Sequence, residues 1–343
     1  MNRSFRSRRT FCAAVGVLSS IALAMPAAAH AQATWKPSRP ITLIVPWAAG
    51  GSTDQVTRIT AAEIEKALGQ KVVIVNQPGA SGSIGTKSAI EAPKDGYTWT
   101  AGAAKDLGTY AVLGMLDTKI QDWALFLSVA NVSTLSVNPA TPYKSAKELL
   151  DAMRAKPGQV SVATAGVNSS GHSAMEAIAK AANVRYKHVT YDGGNPAVIS
   201  TVAGETETTT QLTVEQAEMI RGKKLRPLAV VGDKPVELDG YGTIEPLTST
   251  LANFRAPANY FGIFIPRGVP QEVIATMEKI WADQISKSAA LKSYATSRGA
   301  QFAPLYGTEA QKAVMPAVQA NAWQAVEAGK AKVQPDTLGI ARP

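Results

Sequence analysis

Cysteine and histidine are scarce in this chain of 343 residues, which has one cysteine and three histidines. A disulfide framework needs cysteine pairs, and a structural zinc site needs about four cysteine or histidine ligands. The composition therefore excludes both, and we expect neither a metal nor a cofactor in the functional site. A chain of this length can bury a large apolar core without such cross-links.

Signatures of common enzymes are also missing. Lys87 does not directly follow a glycine, so the stretch from Gly79 to Ser88 fails the spacing of a phosphate-binding loop. No predicted strand is followed by Gly-x-Gly-x-x-Gly, and Gly-x-Ser-x-Gly is absent from the strand-to-helix turns. The sequence favours a protein that is not an enzyme. One enzymatic alternative stays open, a periplasmic hydrolase with a loop serine as nucleophile and His172 as base.

The first 31 residues have the pattern of an export signal. Four arginines near the start precede an uncharged run from Thr10 to Ala29, and Ala29-His30-Ala31 has small residues where signal peptidase reads. The run is rich in alanine and interrupted by proline, unlike a membrane-spanning helix of about 20 apolar residues. We expect cleavage after residue 31 and a periplasmic location. Residues Ser7-Arg8-Arg9-Thr10-Phe11 resemble the twin-arginine export motif. The twin-arginine route and the general secretory route therefore both remain open.

No block of basic residues remains once this signal is removed. The signal holds four arginines and no acid, so 35 basic and 26 acidic residues in the whole chain leave a net charge of +5 afterwards. A small, dispersed surplus suits a small anionic ligand and argues against nucleic acid, which requires clustered lysine and arginine.

Short apolar runs alternate with helical patterns along the rest of the chain. Ile41–Val45, Val72–Val75, Val160–Thr164 and Leu225–Val231 are typical of buried strands, and Leu125–Val137 is predicted as one long extended segment. Strands separated by helices predict an α/β fold with mainly parallel sheets flanked by helices.

Four loops rich in glycine and hydroxyl residues follow predicted strands. They occupy residues 46–54, 78–85, 164–172 and 191–196. The carboxyl ends of parallel strands form the ligand-binding edge of such sheets, and a helix N-terminus there can bind an anion without arginine. Such turns are also ordinary connectors, and the aromatic rings of Trp47 and Tyr191 fit a site wall or core packing equally well.

Several longer segments share one order and spacing. They are Arg39–Asp54, Leu68–Gly79, Asp95–Thr98, Lys156–Gly158, Gly166–His172, Val189–Ala197 and Asn259–Pro266. Together they resemble the Bug-type, TctC-like solute-binding proteins of tripartite tricarboxylate transporters. The resemblance extends over nearly the whole chain after the export signal.

This resemblance implies a two-lobe periplasmic binding protein of the type II-like class with the ligand cleft between the lobes. We expect lobe one to comprise residues 32–133 plus 256–343, and lobe two residues 134–255. The hinge candidates are Ser133–Asn138 and Leu251–Pro257. The implied function is capture of a small carboxylate by lobe closure and delivery to membrane permease subunits, by a monomer. A ligand sensor for a membrane kinase would have the same fold.

The resemblance also implies which residues bind the carboxylate. Those in lobe one are Trp47, Ala48, Ala49, Gly50, Gly51, Ser52 and Asp54. Those in lobe two are Thr164, Ala165, Gly166, Asn168, Ser169, Ser170, His172, Tyr191 and Gly193.

The sequence departs from the family in two places. A threonine run follows Glu207 in lobe two, and Lys105-Asp106 replaces an uncharged stretch. We expect Lys105 to bind a second ligand charge or to be an exposed lysine. A dicarboxylate is the predicted ligand, and Trp47 and Tyr191 make an aromatic one such as terephthalate or phthalate a candidate.

Overall fold

A computed structural model describes residues 35–343 of the chain. The predicted export signal therefore lies outside the described residues. Within them, no helix is both long and apolar enough to span a membrane.

The described residues form thirteen strands, and the four short ones that the sequence predicts, at 41–45, 72–75, 160–164 and 225–231, lie within one residue of their predicted bounds. In chain order they are β1 (Ile41–Val45), β2 (Val72–Asn76), β3 (Thr98–Ala103), β4 (Trp123–Asn131), β5 (Thr134–Val137), β6 (Ser161–Thr164), β7 (Lys187–Thr190), β8 (Thr208–Thr209), β9 (Arg226–Val230), β10 (Val236–Leu238), β11 (Gly242–Ile244), β12 (Asn259–Pro266) and β13 (Gln301–Phe302).

Helices separate most of these strands. They are α1 (Ser52–Leu68), α2 (Ser83–Glu91), α3 (Ala104–Thr109), α4 (Ala146–Ala155), α5 (Ser170–Ala182), α6 (Gly194–Ala203), α7 (Thr213–Arg221), α8 (Gln271–Asp283), α9 (Ala289–Arg298) and α10 (Gly307–Glu327).

The strands form two main sheets, each with its own hydrophobic core. Lobe one contains the six-stranded sheet of order β13-β4-β12-β3-β1-β2, and lobe two the five-stranded sheet of order β7-β6-β8-β5-β9. The lobe-one core includes the fully buried side chains of Trp99 and Trp281, and the lobe-two core includes those of Leu149, Met153 and Met175. The α/β fold with two sheets flanked by helices is thus confirmed.

Both sheets are mixed, which refines the prediction of mainly parallel sheets. In lobe one β12 pairs antiparallel with β3 and with β4, and in lobe two β5 pairs antiparallel with β8 and with β9. The chain crosses between the lobes directly before β5 and again before β12. Strands β5 and β12 each begin at the edge of the sheet where the parallel strands end. They therefore run antiparallel to those strands.

The predicted extended segment 125–137 is two strands, because the first crossing divides it after β4. The second crossing reaches β12 through residues 250–258. Both crossings lie near the predicted hinges, and the lobe boundaries themselves stay a prediction.

Helix α1 begins at the end of the loop after β1. Its cap residue is Gly51, whose backbone is extended, and no side chain caps it. Thr53 and Asp54, whose residue types often cap helices, therefore do not cap α1. Asp54 lies in the first turn instead and accepts the Gly50 N–H through Oδ2 at 3.0 Å. At its other end α1 stops at Gly69, whose backbone lies in the left-handed region (φ 65°) that favours glycine.

Candidate functional site between the lobes

The loop after β1 is held in shape by the buried carboxylate of Asp54. Oδ1 and Oδ2 accept hydrogen bonds from Arg58 at 2.8 and 2.9 Å, and Oδ1 also accepts one from Asn76 at 2.9 Å. Burial opposes ionisation, but the hydrogen bonds from Arg58, Gly50 and Asn76 outweigh it, so the pKa of Asp54 lies below its ordinary value. Asp54 thus orients the loop and is committed to protein partners.

The loop before α5 is held by His172. Asn168, with φ 69°, donates its backbone N–H to His172 Nδ1 at 3.3 Å, while Ser169 Oγ accepts the His172 N–H at 3.3 Å. The His172 ring stacks on His188 with centroids 4.5 Å apart. Burial first, then the nearby His188, Lys330 and Lys105, lowers the pKa of His172 to about 3, so the ring is neutral. His172 therefore accepts a hydrogen bond that shapes the loop.

The two lobes touch each other around these loops. Buried Lys105 donates from Nζ to Asp106 Oδ1 at 2.7 Å within lobe one and to the Asn168 carbonyl of lobe two at 2.6 Å. Asn259 Nδ2 donates to Ser170 Oγ at 2.6 Å across the same boundary. The lobes are in a closed arrangement.

A cavity of about 30 Å³ remains between the lobes. Its lining residues are Trp47, Gly51, Ser52, Thr53, Ala103, Asp106, Ala165, Ser169, Ser170, Gly194, Gln211, Leu212, Glu215 and Phe261. A space of this size holds about one water molecule. An organic solute therefore needs the lobes to separate before it can enter.

The structure brings the predicted residues to one region but gives them different roles. Those that line the cavity are Trp47, Gly51, Ser52, Ala165, Ser169 and Ser170. Those that lie in the same loops without lining it are Ala48, Ala49, Gly50, Asp54, Thr164, Gly166, Asn168, His172, Tyr191 and Gly193. Lys105 is buried, against the expectation of an exposed lysine, and lines a different space.

Two of the predicted residues outside the lining contact other groups in lobe two. Tyr191 donates its hydroxyl to Glu205 at 3.4 Å, and Thr164 Oγ1 is 2.6 Å from His188 Nε2. These hydrogen bonds hold the two loops in place and direct both side chains toward other residues of lobe two.

Glu215 is the main lining residue that the sequence did not indicate. It lies in the first turn of α7, where Oε2 accepts the Leu212 N–H at 3.3 Å, and Oε1 reaches across to accept the Ser52 N–H at 3.0 Å. A methyl group added at Gly194 would lie 2.0 Å from Glu215 Oε1, so the carboxylate packs directly against the start of α6. Loss of water around the carboxyl raises the pKa of Glu215, although hydrogen bonds from Ser52 and Leu212 oppose the rise.

Other lining residues had a partial signal in the sequence. Asp106 belongs to the charged pair that departs from the family, and Gln211 directly follows the threonine run. Phe261 lies on β12, in a segment quoted for the resemblance but not assigned to the site. Gly194 lies in the glycine-rich loop 191–196 but was not assigned to the site. Leu212 and Ala103 carried no signal, because apolar and small residues acquire a role in a site only through their position.

A larger open groove of about 1180 Å³ adjoins the cavity. The crossing segments and one face each of α5 and α10 line it, together with Lys105, and it shares Ser170 and Leu212 with the cavity.

Within the described residues 35–343, no serine hydroxyl is hydrogen-bonded to a histidine ring, as the hydrolase alternative would require. Ser170 Oγ is bonded to Asn259, and His172 Nδ1 is bonded to the Asn168 N–H. Among residues 35–343, no group of three or more His, Cys, Asp or Glu side chains is placed to hold a metal ion.

Comparison with known proteins identifies the family. The chain matches the Tripartite tricarboxylate transporter family receptor, TctC, over residues 56–328. It is 34% identical over 265 residues to the "UPF0065 protein in tcbD-tcbE intergenic region" of Pseudomonas sp., covering 75% of this chain and 78% of that protein.

Solved structures of periplasmic binding proteins share the fold. The structure of BugD superimposes with a TM-score of 0.78 at 23% identity, covering 86% of this chain and 99% of BugD. An R. palustris protein solved with adipate gives a TM-score of 0.74 at 23% identity, covering 90% of this chain and 99% of that one. The family match establishes that the chain belongs to the TctC family and is a solute-binding receptor, not an enzyme, and its fold is that of periplasmic binding proteins such as BugD.

Proposed function

We propose that this receptor captures a small carboxylate between the start of α1 and the start of α5. The observation that carries the proposal is that both helix N-termini meet at one cavity, with Ser52 from lobe one and Ser169 and Ser170 from lobe two in its lining. Backbone N–H groups and hydroxyls at such ends favour a negative charge.

Capture proceeds by lobe closure. Only the closed arrangement presents donors from both lobes to one ligand, so a ligand that bonds to both shifts the equilibrium toward closure. Adipate in the related R. palustris protein supports the choice of a carboxylate.

A dicarboxylate, aliphatic or aromatic like terephthalate or phthalate, is the class that the sequence favours. In the closed arrangement the Lys105 ammonium is bonded to Asp106 and Asn168, so it is not free for a second carboxylate. The second group would have to bond to polar groups of lobe two such as Gln211.

The remaining steps follow from membership of the family. We propose that residues 1–31 direct export and are removed, and that the monomeric receptor passes its ligand to the permease subunits of a tripartite transporter.

A thermal-shift screen of the exported protein against mono-, di- and tricarboxylates tests the proposal. A ligand at about 100 times its dissociation constant stabilises the native state by about 2.7 kcal/mol, which raises the midpoint by several degrees. A screen in which no carboxylate raises the midpoint would remove carboxylate capture as the function.

The placement is tested with Ser170→Ala and the matched control Ser293→Ala, an exposed serine on α9. If Ser170 bonds to the carboxylate, its loss weakens binding by about 1–3 kcal/mol, and the control leaves binding unchanged. Because Ser170 also accepts from Asn259, the unliganded midpoint of each variant is measured separately. Equal binding by both variants would contradict the placement.

A further inference from the structure

The charges around the cavity do not resemble those of a site for a dianion. Two carboxylates, Asp106 and Glu215, are among the lining residues, and no lysine, arginine or histidine is. Lys105 balances one of them, because its Nζ is bonded to Asp106 Oδ1 at 2.7 Å. The immediate surroundings of the cavity therefore keep a net negative charge when both acids are ionised.

The polar groups with unused capacity include hydrogen-bond acceptors. Asp106 is 5% exposed, and of its two carboxylate oxygens only Oδ1 has a hydrogen-bond partner within residues 35–343. Gln211 is 2% exposed, lines the cavity, and its Oε1 has no hydrogen-bond partner there. A buried acceptor without a donor is unfavourable, so these oxygens favour a ligand that brings N–H groups.

Two aromatic side chains complete this environment. Trp47 lies in the loop after β1, and Phe261 on β12 is 3% exposed; both line the cavity. Aromatic faces attract cations, most strongly where water is excluded. Carboxylates, an unpaired amide oxygen and aromatic rings are together a combination suited to a positively charged nitrogen.

We propose that the solute captured at this site is a carboxylate that also carries a protonated amine, in place of a second carboxylate. The inference rests on the proposed function, since N–H groups at the starts of α1 and α5 would bind the carboxylate; the Ser52 N–H, which donates to Glu215 Oε1, is not one of them. The amine donates its N–H groups to Asp106, Gln211 and Glu215. A dicarboxylate would instead place its second negative charge beside two carboxylates of the protein.

Matched ligand pairs test this directly by isothermal titration calorimetry on the exported protein. In each pair one carboxylate of the diacid is replaced by a cationic group, an ammonium in γ-aminobutyrate (against glutarate) and δ-aminovalerate (against adipate), and an aminomethyl group in para-aminomethylbenzoate (against terephthalate). We expect the amine member of at least one pair to bind about tenfold or more tightly than its diacid partner, as a charged hydrogen bond predicts. The N-trimethylated form of γ-aminobutyrate keeps the charge without N–H donors and should bind more weakly.

A variant identifies the protein group involved. Glu215→Gln removes the charge at nearly constant size and should weaken binding of the preferred amine by about tenfold. Glu218→Gln, on the same helix but 58% exposed, should leave it unchanged. If Glu215→Gln does not fold, the ligand pairs decide the question with the unaltered protein.

The outcomes separate the two proposals. Tighter binding of every diacid than of its amine partner, or unchanged amine binding by Glu215→Gln, would overturn this inference and leave carboxylate capture standing. Binding of neither series would overturn both.

Discussion

Replacement of Lys105 by methionine is expected to destabilise the protein strongly. The Lys105 and Asp106 side chains are 2% and 7% exposed, and their charged atoms lie 2.7 Å apart. Methionine keeps much of the volume but leaves Asp106 as a buried carboxylate without its cation. Breaking a buried pair in this way costs about 3–5 kcal/mol of unfolding free energy.

The double variant Lys105→Met/Asp106→Leu removes both charges, and replacing a buried pair by apolar groups is often nearly neutral. We therefore expect it to recover most of the loss. Part will remain, because both variants lack the bond from Lys105 to the Asn168 carbonyl of lobe two.

The pH dependence distinguishes this cause from a simple packing defect. Burial already raises the pKa of Asp106, with Lys105 opposing the rise. Without Lys105 the pKa rises further, so folded Asp106 binds a proton that the unfolded chain does not. The free energy of unfolding of the single variant should then fall as pH rises above about 4, the ordinary pKa of an aspartate, and more steeply than in the unaltered protein.

Urea denaturation of the unaltered protein, Lys105→Met, Asp106→Leu and the double variant at several pH values measures these free energies as a double-mutant cycle. A loss below about 1 kcal/mol for Lys105→Met would refute the reasoning about a buried unpaired charge. A double variant no more stable than the single one would refute it equally.

Three further predictions concern the loops. His172→Gln should reduce the loss of unfolding free energy that occurs as pH falls below 6.5. Because the pKa of His172 is about 3 in the folded protein, protonation of this residue in the unfolded chain lowers the unfolding free energy by about 2 kcal/mol at pH 5, and glutamine removes this effect. An unchanged pH dependence in denaturation experiments would contradict a neutral buried ring. Gly194→Ala should lower the free energy of unfolding by about 1–3 kcal/mol, since the new methyl would overlap the Glu215 carboxylate within lobe two, and Glu215→Ala in the same chain should recover part of that loss in urea denaturation; no loss for Gly194→Ala would show that the carboxylate can move aside. Asp54→Asn should lower both the free energy of unfolding and the ligand affinity, because Arg58 loses its charged partner and the loop after β1 is held less firmly. Normal ligand affinity in that variant would show that the loop does not depend on Asp54.

Much of the local structure could be predicted from sequence patterns. The strand Ile41–Val45, the end of α1 at Gly69 and the start of α4 after Ser145 follow from apolar runs, glycine and a capping serine, all of which act within a few residues. The reversed direction of β5 and β12 could not be predicted in this way, because it depends on where the chain crosses between sheets.

The loops that surround the cavity were also identified, but the direction of each side chain was not. Asp54 and His172 have residue types suited to a ligand, and in the structure both are bonded to their own loops. Glu215 gave no signal because its carboxylate reaches Ser52 across 163 positions of sequence, a distance that only packing of the two lobes closes.

The sequence by itself determined the two-lobe α/β class, the receptor family and the glycine- and serine-rich loops that form the site, because these depend on short-range patterns and on their order. Tertiary structure alone decided which charges meet in the cavity. Asp106, Gln211 and Glu215 come from different elements and acquire a common role only when the lobes close around one small space. Burial then changes what their charges do, since a carboxylate removed from water needs a partner that the chain or its ligand must supply.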